Sequence, residues 1–383
     1  MNSIPAVEET VGPSLKYTEE TGRTVRSLPV RYCYLWQAGV EEPVSDLEVL
    51  SFRQRFGAVS IPAEGIGGVE TLPQFRRQGH IRKVLTQAMA GSAKRVPVLF
   101  VSDAIEDMYE QFGFVNCLAE AHLVVPVRNV ERMASSAALP STQRVRSFNQ
   151  TDLPAMIHLY NEIHAHRPWT HERPAEWNRL LATQTWQPGS AVMILERDES
   201  VVGYAIGKEQ QFGHAAAPFV IDELATKDAE AARTLLVEVA ARCWQMRFSE
   251  FWVREPLDSV VGQEAQRLGC EYRQIFPPSG GMMGAILDRQ QLLAWLEPEL
   301  QRRLPGGDLG LVHTTAFAAL TRGEVVSDNR VLLRLLLGYW SMLDALALGT
   351  AIPEHYLELF AAWFPGGGTR LLPMPYAHKL DRY

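Results

Sequence analysis

The pattern of apolar positions is clearest between residues 65 and 114, where short apolar runs alternate with a helical period. Residues 65–71 form one apolar run, and residues 96–101 form a second that has the length of a buried strand. Between them, apolar side chains recur along one helical face, at Ile81, Val84, Leu85, Ala88 and Met89. Gly91 is the predicted end of this helix. The order strand, turn, helix, strand predicts two adjacent parallel strands.

A second helix is predicted directly after the buried run. Ser102 or Asp103 provides its N-cap, and Gly113 ends it. Its apolar face carries Ile105, Met108, Tyr109 and Phe112. Residues 65–114 are therefore a compact strand–helix–strand–helix module around which the rest of the chain is arranged.

The flanking sequence predicts a mixed sheet around this module. Residues 30–37 and 47–59 are rich in aromatic and β-branched residues, which predicts antiparallel strands. Residues 121–127 are predicted to close the same sheet. Residues 1 to about 25 are polar and unpatterned, which indicates a lead-in without regular structure. Residues 134–142 are rich in Ala, Ser and Pro, which is typical of a linker.

A similar order of elements returns after residue 144. Two helices and a hairpin precede a predicted strand at 219–224 and a long helix at 229–245. From about residue 289 the pattern becomes mainly helical, although residues 311–326 have the composition of two short strands. The chain therefore divides into two mixed units and a smaller, mainly helical one.

Composition narrows the class of protein. A chain of 383 residues suits two or three domains, and 46% hydrophobic with 21% charged residues is ordinary for a globular protein. A net charge of −7 argues against nucleic acid as a partner and favours cationic molecules. The four cysteines show no C-x-x-C spacing, so we expect neither a metal site nor a disulfide framework. Without a signal peptide or a membrane-length apolar run, we expect a cytoplasmic protein with no membrane partner.

The candidate chemistry lies in the turn between the first strand and helix of the module. Arg76, Arg77 and Gly79 precede the predicted helix, whose first backbone N–H groups have no partner inside the helix. The helix dipole favours negative charge there, and a glycine lets an anion approach the backbone. This turn therefore predicts a site for a diphosphate.

Three spaced motifs in this region resemble the GNAT acetyltransferase superfamily. They are G-G-V-E-T-x-P, R-R-Q-G and M-Y-x-x-F-G-F, and they lie within fifty residues of one another. The superfamily's cofactor motif, R/Q-x-x-G-x-G/A, is matched at Arg76 and Gly79, whereas Ile81 stands where a small residue is usual. The tandem GNAT branch of the enhanced-intracellular-survival type also resembles this chain and accepts a bulky residue at that position.

The resemblance implies a fold of the α+β or α/β class with three domains. Residues 1–143 would be a GNAT domain with a shortened front end, and residues 144–288 a second, degenerate GNAT-like domain. The second lacks a glycine turn and has D-E-L-A-T-K-D-A-E there, whose acidic residues would repel a diphosphate. Residues 289–383 would be a sterol-carrier-like domain whose tail enters the first cleft.

The resemblance also implies acetyl-CoA as co-substrate and assigns its contacts. The backbone of Val69, Glu70 and Thr71 would bind the pantetheine arm, because the sheet is expected to splay there. The pyrophosphate would be surrounded by Arg77, Gln78, Gly79, His80, Ile81 and Arg82. Tyr109 corresponds to the family's general acid, which protonates the departing thiolate of coenzyme A.

The sequence offers several candidates for the general base. In the branch that this chain resembles, the terminal carboxylate takes the proton of the acceptor amine, and here that group is the α-carboxylate of Tyr383. Glu70 and His80 are the alternatives. The expected activity is transfer of an acetyl group to a primary amine. The amine would belong to a small cationic molecule or to a lysine side chain, and the protein is expected to be a homo-oligomer. The alternative is a non-catalytic protein that binds acyl-CoA or an apolar ligand.

Overall fold

The computed structural model describes residues 7–12, 14–23, 28–103, 106–118, 120–129, 143–177, 190–209, 219–275, 281–304, 310–369 and 372–376. The strands, in chain order, are β1 (Val7–Gly12), β2 (Leu15–Arg23), β3 (Pro29–Gln37), β4 (Ser45–Phe56), β5 (Val59–Thr71), β6 (Val98–Asp103), β7 (Val115–Leu118), β8 (Glu120–Pro126), β9 (Gln143–Ser147), β10 (Ser190–Arg197), β11 (Ser200–Glu209), β12 (Phe219–Thr226), β13 (Glu250–Val253), β14 (Glu271–Ile275) and β15 (Gly281–Ile286). The α-helices are α1 (His80–Ala93), α2 (Glu106–Glu110), α3 (Leu153–Ile163), α4 (Ala229–Gln245), α5 (Val260–Leu268), α6 (Arg289–Arg302), α7 (Gly310–Arg322), α8 (Asn329–Leu336), α9 (Met342–Ala347) and α10 (Leu357–Trp363).

These elements belong to two compact units, each assembled from separate stretches of chain. The first unit contains Met1–Leu118 and Pro278–Gly367, and the second contains Ala119–Pro277 and Gly368–Arg382. The units therefore alternate along the chain. The contiguous domain boundaries taken from the sequence stay a prediction.

In the first unit, the described strands form an eight-stranded sheet in the order β1-β2-β3-β4-β5-β6-β15-β7. Its neighbours are antiparallel except for β5 and β6. This parallel pair, with α1 as the crossover helix, is the one that the strand–helix–strand order predicted. Its register runs from Glu64–Leu99 to Ile66–Val101.

Buried and half-buried side chains alternate along β3, so one face of this sheet is buried in the core. Cys33 and Leu35 are fully buried, whereas Tyr32, Tyr34 and Trp36 are half-buried on the opposite face. The buried face of α1 joins the same core through Val84, Leu85 and Ala88. The helical face predicted from the sequence is therefore confirmed, and its apolar side chains hold α1 against the sheet.

Two expectations about the first unit are corrected. Within the predicted lead-in, residues 7–12 and 15–23 are strands that pair with each other and with β3. In β2 the apolar positions Leu15 and Tyr17 are buried and polar residues follow, so too few apolar positions remain for a recognisable pattern. Helix α1 also continues to Ala93, past the predicted end at Gly91.

The second unit has a seven-stranded sheet in the order β14-β8-β13-β12-β11-β10-β9. Here the parallel pair is β12 and β13, which extends from Phe219–Phe251 to Ile221–Val253. All eight residues of β12 are buried. Helix α4 covers the sheet with buried Leu235, Leu236 and Val239, and its bounds confirm the prediction of a helix at 229–245.

One strand assignment between the units is wrong. The run at 121–127 was expected to close the first sheet, but β8 pairs with β13 and β14 in the second sheet. In the first sheet, β15 lies between β6 and β7 instead. Both runs are short and apolar and suit any buried strand position, so the sequence does not specify their partners.

The region after residue 289 is helical in the described ranges 289–304 and 310–369, where no strand occurs. Residues 311–326 therefore do not supply the two expected short strands, because most of them belong to α7. Short apolar runs with Ala and Thr do not distinguish the two states by period alone. The predicted fold class, two mixed sheets with flanking helices and a mainly helical C-terminal region, is confirmed.

Membrane-spanning helices and clusters of metal ligands are both absent from the described residues. None of the described helices combines the length and the apolar character needed to cross a bilayer. No group of three or more His, Cys, Asp and Glu side chains in the described ranges is arranged to hold a metal ion.

Arg31 on β3 ties helix α1 to the sheet of the first unit. Its guanidinium donates to Ser92 Oγ at 2.8 Å and to the Ala88 carbonyl at 3.3 Å, both on α1. It also pairs with Glu19 at 2.7 Å and with Glu64 at 3.2 Å. Because Arg31 is buried, these carboxylates offset the desolvation of its charge. The network therefore fixes the position of α1.

We predict that Arg31→Ala lowers the free energy of unfolding of the first unit by about 3–5 kcal/mol, because buried carboxylates lose their partner. Urea unfolding of the full chain measures this change. Arg53→Ala is the matched control, since Arg53 is an exposed arginine on the neighbouring strand, and we expect an effect within about 0.5 kcal/mol. Equal losses in the two variants would contradict this role of Arg31.

Candidate active site

A cleft opens where β5 outlasts its parallel partner. The pairing of β5 with β6 ends at Ile66–Val101, whereas β5 continues to Thr71. The pairing of β4 with β5 has a bulge between Asp46 and Glu48, opposite Gly68, whose φ is 56°. Such a bulge turns the residues that follow it. The cleft has a volume of about 690 Å³ and is lined by Val69, Glu70, Thr71, Phe75, Arg76, Arg77, Gly79, His80, Ile81, Arg82, Leu85, Asp107, Met108, Tyr109, Gln111 and Phe112.

The start of α1 borders this cleft without a capping side chain. Its N-cap residue is Gly79, with φ 76° and ψ 14°, and no side chain caps the first turn. The first turn also contains no acidic residue, and a Cβ built on Gly79 would meet no atom within 4 Å. The first backbone N–H groups of a helix attract anions, so this helix start can receive a diphosphate.

The corresponding helix of the second unit is capped in the opposite way. The Asp228 carboxylate accepts from the Ala231 amide at 2.8 Å and pairs with Arg197 at 2.8 Å. Glu230 adds a second carboxylate in the first turn. An anionic cap therefore occupies the place where a diphosphate would bind, which agrees with the acidic sequence of this turn.

Basic side chains surround the start of α1. Arg76 Nε donates to the Thr71 carbonyl at 3.0 Å, at the end of β5. Arg82 donates to Gln111 and lies over the Phe112 ring, 5.5 Å from its centroid, so it bridges the two helices of the cleft. Arg77 has φ 62° and lines the cleft, which places a third guanidinium at this end.

Tyr109 lies on α2 and lines the cleft. Its side chain is fully buried, and its ring packs edge to face against Phe114, with centroids 5.7 Å apart. Both residues belong to the core of the first unit, together with Leu85 of α1. The tyrosine is therefore held on a rigid element, as a positioned proton donor requires.

His80 also lines the cleft, as both of its predicted roles, contact with the pyrophosphate and alternative general base, require. The ring is 6% exposed and packs against Phe75, with centroids 6.2 Å apart. Among the described residues neither ring nitrogen has a hydrogen-bond partner. Burial, and then the charge of Lys83, lowers the pKa of His80, so its imidazole is neutral near pH 7.

Carboxylates lie close together where β4 begins and β5 ends, beside the cleft. Glu70 lies opposite Asp46 in the strand pairing, and Glu48 lies one bulge away. The pKa of Asp46 is raised by burial, then by the charge of Glu70 and of Glu48. Tyr32 and Tyr34 of β3 pair with these carboxylate positions in the sheet. This acidic and aromatic surface (Tyr32, Tyr34, Asp46, Glu48 and Glu70) carries charge opposite to that of the α1 start.

The structure brings together most of the residues singled out in the sequence. Of the predicted site residues, the cleft is lined by Val69, Glu70, Thr71, Arg77, Gly79, His80, Ile81, Arg82 and Tyr109. Gln78 is exposed and donates to the Gln74 carbonyl at 3.2 Å, and it is absent from the lining. Tyr383 lies outside the described residues.

Sequence reasoning missed part of the lining. Phe75, Asp107 and Gln111 also face the cleft. Asp107 and Gln111 lie two positions before and after Tyr109, and residues at that spacing do not share a helical face, so the helical period does not indicate them. Phe75 lies in a 3₁₀ turn (Pro73–Phe75), and no periodic signal marks it.

Comparisons with known proteins agree with this geometry. Residues 22–116 match the family model described as acetyltransferase (GNAT) domain. No curated protein matches the sequence significantly.

Several solved structures share the fold at low sequence identity. A GCN5-related N-acetyltransferase from Kribbella flavida is 15% identical, with a TM-score of 0.54 over 69% of this chain and 61% of that chain. One from Anabaena variabilis is 13% identical, with a TM-score of 0.55 over 68% of this chain and 64% of that chain. Eis1 from Mycobacterium abscessus is 17% identical, with a TM-score of 0.50 over 69% of this chain and 66% of that chain.

The alignments thus span less than two thirds of the length of these structures. At such identities the likeness concerns the fold alone. Residues 22–116 thus match the acetyltransferase (GNAT) domain model, which describes a fold family that uses acetyl-CoA or acyl-CoA.

Proposed function

We propose that the protein is an N-acetyltransferase that moves an acetyl group from acetyl-CoA to a primary amine. The observation that carries the proposal is a single cleft that joins the uncapped start of α1 to the phenol of Tyr109. The start of α1 would bind the diphosphate of acetyl-CoA, and the phenol of Tyr109 would face the sulfur of the cofactor. Val69, Glu70 and Thr71 of β5 lie between them, beyond the end of the β5–β6 pairing, and would bind the pantetheine arm.

The proposed reaction is a direct transfer. The amine nitrogen attacks the thioester carbonyl, a C–N bond forms, and the C–S bond then breaks. Tyr109 gives its proton to the departing thiolate, and a base takes the proton that the amine loses. Backbone amides of β5 would stabilise the oxyanion, and most of the rate enhancement would come from holding both substrates in place.

For the base we propose the α-carboxylate of Tyr383. The last described residues support this proposal, because Met374 and Tyr376 are hydrogen-bonded within the second unit. Glu70 and His80 are the alternatives, and both line the cleft. The neutral imidazole of His80 is a credible acceptor of a proton, whereas Glu70 is exposed at the mouth.

For the acceptor we propose a cationic amine, on a small molecule or a lysine side chain. The acidic and aromatic surface supports this choice, since its carboxylates attract cations and its rings offer cation–π contacts. In the described part of the chain before His80, every element is a strand or a 3₁₀ turn, so no α-helix covers this surface from the front end. A wide opening for the acceptor follows.

Other parts of the proposal concern the whole chain. The cap formed by Asp228 supports a second GNAT-like domain that binds no coenzyme A. A sterol-carrier-like character of residues 289–383, a homo-oligomeric assembly and a cytoplasmic location remain proposals that rest on the resemblance.

We predict that Gly79→Glu weakens binding of coenzyme A by at least about tenfold, because a carboxylate would stand beside the diphosphate. Gly39→Glu is the matched control: Gly39 has φ 84°, and a Cβ there also meets no atom within 4 Å. Both changes carry the same backbone strain, but only Gly79 lines the cleft. Calorimetry with coenzyme A measures both, and equal affinity in the two variants would refute the diphosphate site.

We predict that Tyr109→Phe lowers kcat by about 10²-fold or more while the affinity for coenzyme A is kept. The assay follows free thiol released from acetyl-CoA in the presence of a panel of primary amines. Tyr356→Phe, a change at a buried tyrosine outside the cleft, serves as the control. If the wild-type protein binds coenzyme A but releases no thiol with any amine, the non-catalytic alternative holds.

A short Gly-Ser extension after Tyr383 tests the proposed base. It converts the α-carboxylate of Tyr383 into a peptide group and moves the terminal carboxylate to the new last residue. We expect kcat to fall by about 10²-fold or more. Glu70→Gln should instead raise KM for a diamine several-fold with little change in kcat, because Glu70 would attract the cation rather than take its proton. Glu42→Gln, in an exposed turn, is the control. Full turnover in the extended protein would move the base to Glu70 or His80.

A further inference from the structure

The second unit contains its own cavity, of about 330 Å³. It lies where β12 outlasts its parallel partner, since the β12–β13 pairing ends at Ile221–Val253 and β12 continues to Thr226. The start of α5 forms another wall. The lining consists of Glu162, Ile163, His164, Arg167, Leu224, Thr226, Lys227, Glu255, Asp258, Ser259, Val260 and Val261.

This cavity has the same place in its sheet as the first cleft has in the other sheet. Helix α4, however, begins with the Asp228 cap, whose carboxylate accepts a hydrogen bond from the first turn where a diphosphate would otherwise bind. The cavity is also about half the volume of the first cleft. It therefore suits a small molecule that carries no diphosphate.

Besides the donor Arg167 Nε, two buried oxygen atoms of the lining have no hydrogen-bond partner among the described residues. They are Glu255 Oε1 and Thr226 Oγ1, and the two residues are 1% and 3% exposed. Both atoms can accept hydrogen bonds. Buried polar atoms are nearly always satisfied, so this pair indicates a bound group that donates.

Apart from Glu255, the lining has as many carboxylates as it has Arg and Lys side chains. Arg167 pairs with Asp258 at 2.8 Å, and the backbone of Met374 bonds to both side chains, at 2.9 Å and 2.7 Å. Glu162 and Lys227 are both exposed and carry opposite charges. The lining therefore has one carboxyl group more than it has Arg and Lys side chains. Glu255 shares the charge of Arg167 with Asp258, and a bound cation would balance the excess.

The raised pKa of Glu255 agrees with a site that binds a cation. Burial raises its pKa to about 8, with a further rise from Glu223 and Asp258, whereas Arg167 and a hydrogen bond from Ser259 act in the opposite direction. Below that pH the empty cavity holds a neutral carboxyl group. A cation beside it would restore the carboxylate.

We propose that this cavity binds a small primary amine, whose ammonium group donates to Glu255 Oε1 and Thr226 Oγ1. An ammonium group has three donors and no acceptor, which suits a lining with two unsatisfied acceptors. Leu224, Val260 and Val261 supply apolar contacts for a short alkyl chain. An anion is disfavoured by the excess carboxyl group.

Calorimetry on the full chain tests the ligand class with three probes of one shape. They are n-butylamine, which is cationic, butan-1-ol, which is neutral, and butyrate, which is anionic. We expect binding of butylammonium at least about tenfold tighter than that of the other two, as one charge-assisted hydrogen bond provides. A crystal soaked with n-butylamine should show it beside Glu255. Equal affinity for butan-1-ol, or ordered water only in the cavity, would overturn the proposal.

Variants separate this cavity from the first cleft, where an acceptor amine would also bind. We expect Glu255→Gln and Thr226→Val, both close in shape to the native residues, to weaken butylammonium binding at the second site, by about tenfold or more for Glu255→Gln. Glu70→Gln should leave that site unchanged. If only Glu70→Gln weakens binding, the amine occupies the first cleft alone and the proposal fails, while the proposed acetyl transfer stands.

The pH dependence gives an independent readout. Binding requires a carboxylate, so the affinity for butylammonium should rise about tenfold per pH unit from about pH 6.5 and level off above pH 8. The amine itself stays protonated in this range. The other titratable and charged groups near Glu255 are Glu162, His164, Arg167, Glu223, Lys227 and Asp258. A slope that persists in Glu255→Gln would assign the effect to one of these and contradict the proposal.

Discussion

The short register between β5 and β6 is the constraint on which the candidate site depends. Pairing with β6 stops at Ile66–Val101, and β5 continues for five residues, of which Val69, Glu70 and Thr71 line the cleft. Backbone groups released from a sheet need other partners, and an extended ligand arm can supply them. Helix α1 crosses between these two strands, so its bare start necessarily opens at the same edge.

The two units show how a single position in a fold can carry opposite charge preferences. In the first, Gly79 leaves the amides of α1 open and three arginines stand nearby. In the second, Asp228 closes the equivalent helix start, and a buried carboxyl group, Glu255, lies in the remaining cavity. Charge at a helix start and in a small cavity is set by few residues, so similar positions in two sheets can differ in charge without any change in their strands.

Local signals predicted the parts of the molecule whose structure depends on neighbours in sequence. The face of α1, the helix at 229–245 and the turn around Gly79 follow from period and capping chemistry. The predictions failed where partners are distant: β1 and β2 have few apolar positions, and β8 and β15 joined sheets that their sequences do not specify. Pairing partners are chosen by the whole core, which no short window contains.

By itself, the sequence determined a strand–helix–strand module that matches the GNAT domain model, with a glycine turn before its helix and a tyrosine on the following one. Only the tertiary structure decided which side chains share a cavity. His80 turns its ring into the first cleft, Gln78 stays outside it, and Glu255 meets Thr226 in the second cavity. The reason is physical: capping and helical period act within a few residues, whereas burial and charge balance depend on elements brought together across the chain.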